Sequence, residues 1–376
     1  MIANSTKKLA AVVALSALPG MAFAGSVKLP STISWTSYDV GSASYSEAVA
    51  VGKAVSDGYG VNLRVLPATS DVARVLPVRQ GRVDFALMGS EAYNAVEGTE
   101  AFAAPEIGPQ KLRLLLGSNS DNCFTLALQG NGSIHKASDL KGKRLAWVVS
   151  SPALQNNVAA FLAFGGLTWK DVKKVDVASF GGSWHAFLNG QVDAITTLTT
   201  TSFAVQAAAS PSGLRWLPLP AANKEGWKRL EAKKPQFSPR LATSGPNMSK
   251  QHPVECAGFP FPVLAAYPTK KADYVYNMTK AIEEQFKNYV KAEPNLVGFS
   301  TKRQNFQWVI PYHAGAVRYW KEKGVWTAAD EAHNQMLIKR QNVLGAAWAK
   351  LAKLSADERK AKWPAARKTA LQAAGF

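Results

Sequence analysis

Small polar residues gathered at turns behind strand-like runs are the feature of this sequence best suited to chemistry. Gly41-Ser42-Ala43-Ser44-Tyr45 sets hydroxyls and backbone N–H groups where a helix is expected to begin, a ready site for an anion. Ser150 and Ser151 before Pro152 offer the same further along, with Gln155 and Asn156 one turn in. Met88-Gly89-Ser90 and the run Thr196 to Thr201, which includes Thr197, Thr199 and Thr200, each follow a strand-like segment. Any one such turn reads as ordinary helix capping as readily as ligand binding. Four of them in two pairs point to one shared cleft, because open α/β sheets bind ligands at the ends of their strands. Ser70 and Asp71 open a further turn, and Arg74 follows in its helix. Arginine is the bidentate partner of a carboxylate, so Arg74 is the expected anchor for one, with plain surface solvation as the alternative. Tyr45 either covers an apolar part of a ligand or belongs to the core.

Catalytic signatures are missing. The five histidines, His135, His185, His252, His313 and His333, make no HExxH or other close ligand spacing, so no metal is expected. There is no G-x-S-x-G elbow, no phosphate-binding loop and no G-x-G-x-x-G after a strand. Lys141-Gly142-Lys143-Arg144 lacks the upstream glycine of a phosphate loop and reads as a basic turn before a strand. No catalytic residue and no cofactor are therefore expected.

Composition limits the partners. The chain has 376 residues, a formal charge of +18 and 47% apolar residues, an ordinary globular balance with a strong basic bias. Such a charge suits nucleic acid, anionic membranes or anionic solutes. Lys7 and Lys8, the apolar stretch Leu9 to Leu18 and Ala22-Phe23-Ala24 have the layout of a cleaved signal peptide over residues 1–24. That apolar stretch is far shorter than the ~20 residues a membrane span needs. Export, and the lack of lysine and arginine interleaved with aromatics, argue against nucleic acid.

The elements that would position the turns occur twice. Strand-like Ile33 to Tyr38, helical Tyr45 to Val55, strand-like Val61 to Leu66, helical Asp71 to Gln80 and the turn-plus-strand Gly81-Arg82-Val83-Asp84-Phe85 give β–α–β–α–β. Lys143 to Val149, Ala153 to Phe164, Val172 to Val177, Trp184 to Leu188 and Gly190-Gln191-Val192-Asp193-Ala194 repeat it. Gly41 to Gly81 and Ser150 to Gly190 are both 40 residues. Two similar lobes are expected, lobe I from residues 26–120 and 257–376 and lobe II from 121–256. Leu217 to Pro246 reads as a surface excursion. Phe259 to Tyr267, interrupted by Pro260 and Pro262, reads as a returning strand at an edge or hinge. Val275, Met278, Ile282, Phe286 and Val290 mark an amphipathic helix, and Thr327 and Ser355 begin two more through capping boxes. Cys123 and Cys256 fall where the chain would cross between lobes. In an exported protein they are expected to be bridged, with two separate buried thiols as the alternative.

These segments resemble the TAXI group of solute-binding proteins, the receptors of one branch of TRAP transporters. The resemblance covers almost the whole chain after residue 24. It rests on Gly41 to Tyr45, Gly81 to Phe85, Asp139 to Arg144 and Gly190 to Ala194. Its most specific stretch is Pro311-Tyr312-His313-Ala314-Gly315-Ala316-Val317-Arg318-Tyr319-Trp320, read as a structural hallmark. It implies a two-lobed α/β periplasmic-binding-protein fold of class II type, with a hinge between the lobes and C-terminal helices. It also implies capture of a small organic acid, such as a dicarboxylate or glutamate, and delivery to a membrane permease that uses an ion gradient. The expected protein is periplasmic and monomeric. The first loop is serine-rich where the group has glycines, Ser150-Ser151-Pro152-Ala153 replaces its Gly-Ser-Gly-Thr, and Asp71-Val72-Ala73-Arg74 replaces Ser-x-x-Asn. Those departures leave the group's usual ligands open. A receptor of an ATP-driven importer for a sulfonate, nitrate or thiamine-like solute, an exported enzyme on the same fold and a sensory receptor are the rival readings.

Overall fold

A computed structural model describes residues 26–376. The expected signal peptide lies outside the described residues. The first pass of the chain lays down β1 (Thr32–Ser37), β2 (Asn62–Pro67), β3 (Phe85–Met88) and β4 (Arg113–Gly117), with helices Ala43–Tyr59 and Asp71–Arg79 between the first three. It crosses at 118–123 and builds β5 (Phe124–Gln129), β6 (Arg144–Val148), β7 (Lys173–Val177), β8 (Ala194–Leu198), β9 (Leu214–Trp216), β10 (Ser238–Ala242) and β11 (Val254–Gly258). A second crossing at 259–262 leads back to β12 (Val263–Ala266).

Two sheets result, ordered β2-β1-β3-β12-β4 and β10-β11-β5-β8-β6-β7, with β9 also on β5. The doubled motif is explicit: β1 runs parallel to β2 and β3, and β6 runs parallel to β7 and β8. The shared G-x-V-D has one physical role in both lobes. Gly81 and Gly190 sit at φ 71° and 67°, where a side chain would be strained. Val83 and Val192 are buried. Asp84 accepts the Ser34 amide at 2.9 Å, and Asp193 accepts the Arg144 amide at 2.8 Å, each tying the third strand of its lobe to the first.

Several elements differ from their sequence patterns. The amphipathic helix breaks at Gln285 into Ala272–Glu284 and Phe286–Ala292, where the Asn288 amide bonds back only three residues to the Gln285 carbonyl. Segment 217–246 is more than an excursion. It carries helix Lys224–Glu231 as well as β10, because Trp227 and Leu230 bury one face against Phe164 of helix Pro152–Phe164. β12 lies inside the first sheet, and Pro260 and Pro262 fall in the crossing before it, where they remove no ladder bond.

The C-terminal part is helical. Thr327 and Ser355 cap Ala328–Lys350 and Ala356–Ala373 with reciprocal Asp330 and Glu358 bonds. The Pro311 hallmark is structural here. Tyr312 bridges β4 at Leu114, His313 Nδ1 accepts the Gly315 amide to cap Ala314–Glu322, and any Cβ on Gly315 would lie 2.1 Å from the Ala272 carbonyl oxygen. No described helix is long and apolar enough to cross a membrane.

The crossings are fastened to each other. Cys123 and Cys256 form a disulfide, Cα–Cα 5.9 Å, on the second-lobe side. On the first-lobe side the Ser118 carbonyl accepts the Phe261 amide at 2.6 Å, and the Ser118 amide donates to the Pro262 carbonyl at 2.9 Å. Phe124, Phe237, Phe259 and Trp308 stack through the junction at centroid separations of 4.9 to 6.2 Å, so one apolar core continues from lobe to lobe.

Candidate functional site

The C-terminal ends of β1, β3 and β8 face one another across the cleft, and the turns behind them close around a cavity. Its polar lining is Tyr38, Ser42, Ser90, Asn157, Thr197 and Thr201. Its apolar lining is Ala43, Phe124, Leu154, Phe180, Leu198 and Phe261. The cavity holds about 30 Å3, room for about two waters. Ser42 caps helix Ala43–Tyr59 by accepting the Tyr45 amide, which leaves other first-turn N–H groups of that helix without an intrahelical acceptor. Thr201 caps the short helix Ser202–Ala208 in the same way.

Polar contacts join the lobes across the cleft. Ser202 Oγ donates to the Gly41 carbonyl at 3.0 Å, and Ser150 Oγ to the Thr69 carbonyl at 3.1 Å. The Asp71 carboxylate accepts Ser151 Oγ at 2.6 Å and the Ala153 amide at 2.9 Å. Phe203 of the second lobe packs so closely on Gly41 that a Cβ there would lie 2.6 Å from its ring. The two lobes are thus in direct contact across the cleft.

Beside the cavity lies a fully buried charge cluster. Arg74 Nε donates to Glu91 at 2.9 Å, one terminal nitrogen to Asp71 at 2.9 Å and the other to the Ala68 carbonyl at 3.0 Å. Its guanidinium stacks 3.6 Å from the centroid of Tyr38, whose hydroxyl donates to Glu91. Glu91 also accepts the Gly89 amide. Burial by itself would make Arg74 less basic, but Glu91, Tyr38 and Asp71 more than reverse this and hold it charged. Burial pushes the Asp71 carboxyl upward against the pull of Arg74, and burial together with Glu91 pushes Tyr38 well above the ordinary phenol range.

The structure sorts the expected site residues. Ser42, Ser90 and Thr197 meet at the cavity. Arg74 does find carboxylates, but they are Asp71 and Glu91 of the chain itself, and the residue is fully buried. The helix N-terminus at Ser150-Ser151 is likewise filled, by Asp71. Ser44 bonds Ser37 and Met88 is inside its sheet. Gln155 and Asn156 turn back onto the Val148 and Pro152 carbonyls. Thr199 bonds the Ser244 carbonyl, Thr200 accepts from Asn122, and Ser70 caps its helix. Tyr45 does not line the cavity, and Gly89 lets Tyr38 and Phe261 approach. Tyr38, Asn157, Phe124, Phe180 and Phe261 are lining residues the sequence did not single out. Their only signal was position near strand ends and the crossings.

A model of the NMT1-like family matches residues 39–324. No curated protein shows a significant match to the sequence. Among solved structures, the alkanesulfonate-binding protein SsuA from Xanthomonas axonopodis pv. citri bound to MOPS aligns at 12% identity over 81% of this chain and 94% of that one, TM-score 0.45. An ancestral arginine-binding protein bound to arginine aligns at 16% identity over 72% of this chain and 100% of its own, TM-score 0.43. The periplasmic aliphatic sulphonate binding protein SsuA from Escherichia coli aligns at 12% identity over 81% and 92%, TM-score 0.41. The family match does not reach to the TAXI group that the sequence motifs resemble.

Proposed function

We infer that this chain, which belongs to the NMT1-like family, is a receptor that closes two lobes over a small organic anion and hands it to a membrane permease. The observation that carries this reading is the cleft cavity itself. It joins hydroxyl and amide groups and the first turn of helix Ala43–Tyr59 to an aromatic floor, and its lining holds no histidine, lysine, cysteine or carboxylate. A helix N-terminus and neutral donors favour a compact negative head, while Phe124, Phe180 and Phe261 favour an apolar body. Nothing in that lining activates a nucleophile or serves as a general base, so binding without turnover is the function it suits. A solute of organic-acid size needs more room than the closed cavity has, and a small rotation at the hinge supplies it. Binding shifts the population of closed molecules only as far as the solute prefers that state.

Residues 1–24 support export, and the sequence motifs support an ion-gradient permease of TRAP type. Delivery to an ATP-driven importer is the second reading, favoured by neutral donors that suit a sulfonate as well as a carboxylate. A permease gene or an ATPase gene beside this one separates the two. The receptor function is tested by titration calorimetry of the protein lacking residues 1–24 against carboxylates and sulfonates. One saturable site with the compound recovered unchanged supports it. Chemical conversion of the bound compound overturns it.

A further inference from the structure

Among the described side chains of the second lobe that carry buried polar atoms without a hydrogen-bond partner are Asn157 (both amide atoms), Lys234 (Nζ) and Gln236 (both amide atoms). The residues are 0%, 2% and 5% exposed. Buried polar groups are nearly always paired, and an unpaired ammonium is the costliest of the three to leave so. The segments that carry them pack together beside the cleft cavity. Asn157 and Phe161 lie one turn apart on the same face of helix Pro152–Phe164. The ring of Phe161 is 6.3 Å from that of Phe237, and Lys234 and Gln236 precede Phe237 by three residues and one. Phe124, which is 6.2 Å from Phe237, lines the cleft cavity together with Asn157.

The charged groups whose fields act on Lys234 are Glu100, Asp71 and Glu91, all from the first lobe. Asp71 and Glu91 are engaged by Arg74, and Glu100 is exposed. Burial lowers the Lys234 amine to about 8, so the ammonium persists at neutral pH without a close counter-ion.

We propose that Lys234 is the cationic anchor for the anionic group of the solute, with the amides of Asn157 and Gln236 completing its hydrogen bonds. The ligand class is a small carboxylate or sulfonate whose apolar body lies along the Phe124 side of the cleft. This rests on the receptor reading above and sharpens it: Lys234 does not line the cavity as it stands, so the negative head meets this full charge from the second lobe only once the cleft has widened to admit the solute.

The test uses matched probes, benzoate with benzamide, hexanoate with hexanamide, and benzenesulfonate with benzenesulfonamide. Binding is measured on the protein lacking residues 1–24 and on its Lys234→Met and Lys234→Arg variants. The wild-type protein is expected to prefer an anion over its amide. Lys234→Met is expected to lose that preference, the anion Kd rising about tenfold or more, the change a lost charged hydrogen bond produces. The amide Kd should move less than about threefold, and Lys234→Arg should keep part of the preference. Melting curves confirm that Lys234→Met folds. An anion preference that survives in Lys234→Met overturns the anchor and leaves the receptor reading standing. Equal binding of anion and amide by the wild type overturns it too. No binding of any probe to any of the proteins overturns the small-anion reading and the anchor with it.

Discussion

Replacing Arg74 with methionine removes a buried cation that three acceptors hold at 2.9–3.0 Å and leaves Asp71 and Glu91 facing each other in the interior. Removing one partner of a buried ion pair costs about 3–5 kcal/mol, less than the sum of its bonds because desolvating the guanidinium also ceases to cost. The loss has a pH signature. The Asp71 carboxyl is already pushed upward by burial and is restrained by Arg74, so the variant raises it further. A carboxyl whose folded-state pKa lies above its unfolded one takes up protons on folding, and its contribution to stability grows as pH falls through that window. The deficit against wild type should therefore be largest near pH 7 and smaller at pH 5. Urea unfolding at both pH values measures it, with the midpoint shift converted through the denaturant slope. Adding Glu91→Gln to Arg74→Met should recover part of the loss, since neighbours that share one network do not add. A deficit under about 1 kcal/mol that does not vary with pH would refute the account, since a buried pair costs more. So would an Arg74→Met protein of wild-type stability that had lost affinity only for anions, for Arg74 would then be the partner of the solute.

Three further outcomes follow from the geometry. Gly41→Val places a side chain at φ 88° and against Phe203, an overpacking of about 1–3 kcal/mol felt mainly in the closed state. Small-angle scattering should show a more open molecule, and Phe203→Ala should restore part of the closure. His313, lowered to about 4 chiefly by burial, folds neutral, so stability is complete above pH 6.5 and is lost as pH falls toward 4. His313→Asn, which keeps a capping group that does not titrate, should flatten that acid slope in melts followed by circular dichroism. Opening the Cys123–Cys256 disulfide, as Cys123→Ser with Cys256→Ser, frees a separation of 133 residues in the unfolded chain. The loop-closure relation sets the cost at up to about 5 kcal/mol, read from urea unfolding of the double variant.

The doubled α/β motif was legible because G-x-V-D and its spacing are local. What the shared aspartates do was not, since Ser34 and Asp84 are 50 residues apart. The serine and threonine turns announced strand ends, and three of the expected residues do meet at the cavity. The aromatic lining was hidden because Phe124, Phe180 and Phe261 come from distant segments and each looks like core. Arg74 shows the limit most sharply. Its type and place at a helix start suggested a carboxylate, and the fold supplies Glu91 from behind β3 and Asp71 from its own first turn. Asp71 in turn occupies the second-lobe helix start that the sequence offered to a solute. A short chain of side chains thus satisfies internally two anion sites that each looked vacant alone.

The fastening of the two crossings has a mechanical side. Two separate flexible connections would let one lobe slide and swivel against the other in many ways. Tied by the disulfide at one end and by the Ser118 bonds at the other, the pair behaves as a narrow ribbon. On the receptor reading proposed above, such a ribbon would bend more easily across its width than in shear or torsion, which would reduce the relative motion of the lobes toward one rotational coordinate. An open state confined to that coordinate has few geometries to surrender on closing. If the receptor reading holds, the entropy lost on trapping a solute would be correspondingly small, and affinity would be gained with no added contact.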